Sequence, residues 1–234
     1  MIDQLAAHRF LAASRSRFVR IALEWLTTWE DPVDVLFALS GDVGQAFGPW
    51  DTFRYCALLG LAPAKAVREL GLDVLAEPVE APRFAPVSEA FALAHARATW
   101  PEEAAPWAAS TLAALRERPC GTAHPAALAA AALALVSVDP SSPEDEVDAA
   151  GHALEVACGR DPEEASSAAA EVLEGAALAG RRLPAAAADA VARLARAAQR
   201  DDGGLAAASE ARLLRELATL RALGALRRGG PAST

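Results

Sequence analysis

The stretch HPAALAAAALALVSVDP, residues 124–140, decides the fold of this chain. Past Pro125 it has no charge and no strongly polar group before Ser137, so a helix built from it is apolar on every side. A helix of that kind has no face to give to water and must be enclosed by protein or lipid. At about fourteen residues it is too short for a bilayer, which takes roughly twenty apolar residues to cross. It reads as the buried central helix of an all-α protein, with Leu128, Ala131, Leu135 and Val136 in the core and in contact with both halves of the chain.

Downstream of it the helices share one grammar. Ser142-Pro143-Glu144-Asp145 and Asp161-Pro162-Glu163-Glu164 each put proline at the first helical position and acids in the first turn, and Trp100-Pro101-Glu102-Glu103 does the same upstream. Proline loses nothing there, because the first-turn N–H groups have no intrahelical partner, and the helix dipole favours the acids. The spacing predicts helices over 87–98, 101–116, 125–138, 143–158, 162–180, 184–200 and 205–226. Their inward stripes are small: Val147, Ala150, Leu154 and Ala157; Ala165, Ala169, Val172 and Ala176; Ala187, Val191, Leu194 and Ala198. Helices faced with alanine approach closely. Every Phe, Trp and Tyr lies at or before Trp107.

Upstream, residues 2–14 and 16–29 form two helices or one bent one, with Phe18, Ile21, Ala22, Trp25 and Trp29 on one stripe. Residues 76–87, AEPVEAPRFAPV, hold three prolines and no periodicity. The expected organisation is a Trp- and Arg-containing helical module over 1–75, a Pro-rich linker or strap over 76–87, an Ala-rich helical stack over 88–226 and a disordered tail over 227–234. The fold class is all-α, a multi-helix bundle or a short α-solenoid-like stack of helical hairpins, with no β-sheet.

The hydrophobic fraction of 53% owes much to alanine, and Lys65 is the sole lysine; this usage is that of a GC-rich bacterial genome. A net charge of −9 argues against general nucleic-acid binding, which needs a basic surface. The charge is uneven, since Arg9, Arg15, Arg17 and Arg20 against Asp3 leave residues 1–20 at +3 and the rest at −12. Such asymmetry points to an acidic partner or to docking on the protein's own acidic segment, Asp139 to Asp148. Three widely spaced cysteines give neither a disulfide framework nor a metal knuckle, so a reducing cytosol fits, and the early arginines interrupt any secretory signal.

Catalytic constellations are weak. His152 shares a helix face with Asp148 and Glu155, which reads as a solvated surface, and Cys120 with His124 lacks an orienting carboxylate or amide. Cys158 at a helix C-terminus is opposed as a thiolate by the dipole. The glycines of SGDVGQAFG lack the lysine of a phosphate loop. His8 and His95 lie among apolar residues as ordinary satisfied or partly exposed histidines. No cofactor or metal is expected.

What remains is interaction surface. Arg9, Arg15, Arg17, Trp25, Trp29 and Trp50 are the candidate partner-binding residues, since aromatic and Arg anchors dominate protein interfaces. The leading function is a noncatalytic protein-protein interaction, scaffold or adaptor protein of the bacterial cytosol, binding an acidic protein or a second copy of itself. The alternative is a DNA-binding regulator: residues 49–71 loosely resemble a helix-turn-helix, with Lys65 and Arg68 as the DNA-binding pair. An enzyme with an unrecognised helical site comes third.

Overall fold

Asp3 opens the first helix in the way its side chain allows, accepting the Ala6 N–H at 3.0 Å. The computed structural model describes residues 2–28, 54, 57, 86–97, 101–117, 123–160 and 162–229. The helices among them are α1 (Gln4–Ala12), α2 (Arg17–Thr28), α3 (Pro86–Arg97), α4 (Pro101–Glu117), α5 (Pro125–Ser137), α6 (Glu144–Arg160), the single turn α7 (Pro162–Ala165), α8 (Ala169–Ala179), α9 (Ala185–Ala198) and α10 (Arg212–Gly229). Arg54 and Ala57 are helical as well. No strand occurs among the described residues, and Gln199 and Leu205 form an isolated antiparallel bridge.

The apolar stretch is the central helix, α5. Its N-cap is His124, whose Nδ1 accepts the Ala126 N–H at 3.0 Å, so this histidine has a capping role. Ala131, Leu135 and Val136 are buried and Leu128 is half-buried. On one side α5 packs on α3 and α4, on the other on α6 and α8. At its C-terminus the orphan carbonyls are covered by Arg182, whose Nη1 donates to the carbonyl oxygens of Ser137 at 3.3 Å and Asp139 at 2.7 Å. Its Nη2 donates to the Ser142 carbonyl at 2.6 Å.

A second helix, α8, is as deeply enclosed. It lies between α5 and α10, with α9 and α3 also against it. The crossing with α5 is set by Gly175, where a Cβ would stand 2.6 Å from the Ala130 carbonyl oxygen. The small-residue stripes point inward as expected, Val147, Leu154, Ala165, Ala169, Val172, Ala187, Val191, Leu194 and Ala198 being buried. The architecture is a multi-helix bundle. Helices α1 and α2 pack on α10, so the two ends of the described chain share one core, a contact that an open stack of neighbouring hairpins does not make.

Two expected helices differ from the spacing. The continuous helix over 162–180 is broken by a 3₁₀ turn at Ser166–Ala168, where the Ser166 and Ser167 hydroxyls donate back to the carbonyls of Glu163 and Glu164. Side chains that bond their own backbone compete with the helical ladder. The helix expected from 205 begins only at Arg212, because Leu205 is used otherwise. Gly203 turns the chain at φ 89°, and Leu205 is fully buried with its N–H donated to Thr219 Oγ1 at 2.9 Å. At the far end α10 runs to Gly229 rather than 226, and Arg227 donates to the Leu26 carbonyl at the end of α2. The expected boundary over 76–87 lies outside the described residues except at its last two positions, which open α3.

Candidate functional site

A charged side chain stands among the largest fully buried groups of the protein, Glu174 in the middle of α8. An unpaired carboxylate there would be very costly, so its partners decide what it is. Arg54 Nε donates to both of its oxygens at 2.9 Å and Arg54 Nη2 donates to Oε2 at 2.7 Å. His95 Nε2 of α3 donates to Oε1 at 3.1 Å, and Arg221 Nη2 of α10 donates to Oε2 at 3.1 Å. Arg221 Nη1 reaches on to Glu171 Oε1 at 2.7 Å, and Arg54 Nη1 donates to Ser88 Oγ at 3.2 Å. The Arg54 guanidinium also lies over the Phe91 ring, 4.3 Å from its centre. Four parts of the chain thus meet at one carboxylate.

Burial alone would push the Glu174 carboxyl up. The Arg54 guanidinium, the His95 hydrogen bond and the Arg221 guanidinium overcome that and hold it far below the usual carboxylate range. Glu171, at the outer edge of the cluster, is held low in the same way, with Arg221 and then Arg54 outweighing burial. A carboxylate so held stays ionised near neutral pH. The buried thiol stays protonated there: burial pushes Cys158 up to about 11, against a smaller pull from Arg193, and the thiolate nucleophile is not formed near neutrality. The cluster ties α3, α8, α10 and Arg54 together through one carboxylate.

The second feature is a corner of the surface. Phe10, at the end of α1, lies under the guanidinium groups of Arg212 and Arg215, at 5.3 and 5.2 Å from the ring centre. Arg212 Nη2 donates to the Ala13 carbonyl at 3.2 Å, and Ser14 Oγ donates to Glu216 Oε2 at 2.8 Å. These bonds lay the α1–α2 turn, which carries Arg15 and leads into Arg17, against the first turns of α10, which carry Leu213 and Leu214. Both arginines are exposed, as are Arg9 and Arg20; Leu213 and Leu214 are exposed at 50% and 45%. On α10 the arginines are paired, Arg212 with Glu216 at 2.8 Å and Arg215 with Asp202 at 2.6 Å, so among the described residues the free positive charge of the corner is that of the N-terminal arginines.

Of the residues singled out from the sequence, Arg9 is exposed on α1, Arg15 in the α1–α2 turn and Arg17 at the start of α2. Trp25 belongs to the core, 8% exposed, because the stripe of α2 that carries Phe18, Ala22 and Leu26 turns it inward. Trp29, Trp50, Lys65 and Arg68 lie outside the described residues. Docking of the N-terminal arginines on Asp139 to Asp148 is not what the fold does: Asp139 pairs with Arg97 at 2.9 Å and Glu144 with Arg182 at 3.1 Å, while α1 and α2 sit on α10. His152 is a surface residue, 3.3 Å from Glu155. Sequence reasoning missed Glu174, Arg54 and Arg221. The signal was there in α8, where Glu174 stands between Leu173 and Gly175 in a helix that gives water no broad polar face.

No metal-holding group of three or more His, Cys, Asp or Glu side chains occurs among the described residues, and none of their helices is long and apolar enough to cross a membrane. The chain matches no protein-family model, no curated protein and no solved structure.

Proposed function

We propose that the chain is a noncatalytic protein-protein interaction or scaffold protein of the bacterial cytosol, which meets an acidic protein surface through the basic corner formed by α1, α2 and the start of α10. The observation that carries the reading is the pair Leu213 and Leu214, exposed side by side at the start of α10, the helix against which the turn bearing exposed Arg15 is held. Single exposed leucines are ordinary, but adjacent ones on a surface with charged neighbours have the composition of an interface, an apolar centre with a polar rim that steers the partner.

Capture of the native complex tests it. Tagged wild-type chain is compared with Arg9→Glu/Arg15→Glu/Arg17→Glu, all three positions being exposed, so that the far-ultraviolet circular dichroism is expected to be unchanged. The expected result is a stoichiometric protein partner that the variant fails to retain. Salt-dependent binding of duplex DNA by the wild type, in the absence of any protein partner, would instead favour a regulator acting through residues 49–71.

A further inference from the structure

We infer that the centre of the bundle is a guanidinium-binding site, and that Arg54 is the ligand it holds in cis. The groups that receive the Arg54 head belong to α3 and α8, 34 and 120 positions further along the chain. Each matches one feature of a guanidinium ion. Glu174 takes the fork, with Nε at 2.9 Å from both oxygens and Nη2 at 2.7 Å from Oε2. Ser88 Oγ accepts from the third nitrogen, Nη1, at 3.2 Å, and the plane lies over the Phe91 ring, with Cζ 4.3 Å from its centre. A flat cation with donors on every nitrogen and a face to stack fits these groups, whereas an ammonium offers a point charge and no plane.

The surrounding charge asks for the same ligand. The Glu174 and Arg54 side chains are 0% and 3% exposed, so neither is compensated by water. Without Arg54, two carboxylates, Glu174 and Glu171, would face the Arg221 guanidinium, which bonds one oxygen of each, while His95 donates to Glu174 Oε1. Negative charge in excess and out of water is costly, and a bound cation relieves that cost. Helices α3 and α8 both pack on α5, which keeps the receiving groups in place when the Arg54 side chain is cut back. In the intact protein any other occupant has to displace Arg54.

Chemical rescue tests the site. Arg54→Ala empties the place and keeps the groups around it. Guanidinium or ethylguanidinium chloride at millimolar concentration is expected to raise the melting temperature of this variant saturably, as a ligand of the folded state does. Methylammonium chloride, which has no fork, is expected to need a roughly tenfold higher concentration for the same rise, the equivalent of one lost charge-assisted hydrogen bond. Arg54→Ala/Ser88→Ala is expected to respond to guanidinium more weakly than Arg54→Ala, and the wild type, with its place filled, to show no saturable rise. Arg54→Lys, which restores the charge without the plane, is expected to melt between Arg54→Ala and the wild type. If Arg54→Ala does not fold alone, far-ultraviolet circular dichroism reads the same titrations as refolding by the ligand. Equal rescue by guanidinium, methylammonium and sodium chloride would reduce the effect to charge screening and overturn the inference. So would an Arg54→Ala chain, folded or unfolded, that responds to no guanidinium salt, or a parallel rise in the wild type, which would put the ligand elsewhere.

Discussion

Glu174 is the residue whose environment says most about how this chain is held together. Two guanidinium groups and a histidine from distant parts of the sequence converge on it, with separations of 120, 79 and 47 positions for Arg54, His95 and Arg221. Removing one member of a buried ion cluster leaves the others uncompensated, which costs about 3–5 kcal/mol. Glu174→Ala is therefore expected to lower the urea midpoint steeply, whereas replacing Arg54, Glu174 and Arg221 together by methionine or leucine is expected to cost less, because most of the desolvation cost leaves with the charges, although His95 and the outer Glu171 lose partners. Equal losses in the single and the triple variant would contradict this account. The pH dependence follows from the direction of the shift. The folded carboxyl titrates below its ordinary value of 4.5, so the stabilisation is complete above that value and is lost as pH falls beneath it toward the folded pKa. In urea titrations between neutral pH and pH 3, Glu174→Gln is expected to flatten the acid limb of stability relative to the wild type.

At the scale of the element, α5 and α8 form the axis of the bundle, and the contact between them is a backbone contact. Gly175→Ala raises helix propensity by about 1 kcal/mol, but its methyl group would meet the Ala130 carbonyl, and overpacking of this kind costs about 1–3 kcal/mol. Thermal melting is expected to show net destabilisation; a stabilised variant would mean that the two helices can part freely. Ala131→Glu is expected to unfold the protein outright, since Ala131 is fully buried on α5 and a carboxylate there has no partner. A folded monomer carrying that charge would contradict the assignment of α5 as the central helix. Arg182→Lys should also cost stability, because a lysine has no fork to span the carbonyls of Ser137, Asp139 and Ser142.

Much of this level was legible in the sequence, for a physical reason: helix starts, apolar periodicity and the all-round apolarity of α5 are local signals. The Pro-acid starts at 143 and 162 and the stripe through Val147 and Leu154 carried directly into α6, α7 and the core. What misled was chemistry that competes with the helix from outside the pattern. Ser166 and Ser167 bond their own backbone, and Leu205 is drawn into the core beyond the Gly203 turn. The ion cluster was not legible at all as a cluster. Arg54 stands between Phe53 and Tyr55, His95 between two alanines, Glu174 between Leu173 and Gly175 and Arg221 between Leu220 and Ala222, and no local spacing relates them. Trp25 was read as an anchor because its size suits an interface; the inward stripe of α2 claims it for the core instead.

Over the whole molecule, charge is divided between surfaces that the fold keeps apart. The N-terminal excess of positive charge, visible as +3 over residues 1–20 against −12 elsewhere, is not consumed in docking on the acidic segment after α5, whose Asp139 and Glu144 are paired with Arg97 and Arg182. Arg9, Arg15, Arg17 and Arg20 are exposed on α1, α2 and the turn between them, and both helices pack on α10. Exposed charges act mainly on the encounter, so reversal of Arg15 and Arg17 is expected to reduce the association rate and its salt dependence more than the dissociation rate, as surface plasmon resonance would resolve. The claim on which the functional account turns is that this corner is bound by protein. Native mass spectrometry of the complex captured with the tagged wild-type chain, beside the Arg9→Glu/Arg15→Glu/Arg17→Glu variant, tests it most directly. The account predicts a bound protein at fixed stoichiometry, another copy or an acidic partner, present with the wild type and lost from the folded variant; a wild-type chain recovered alone and monomeric would contradict it.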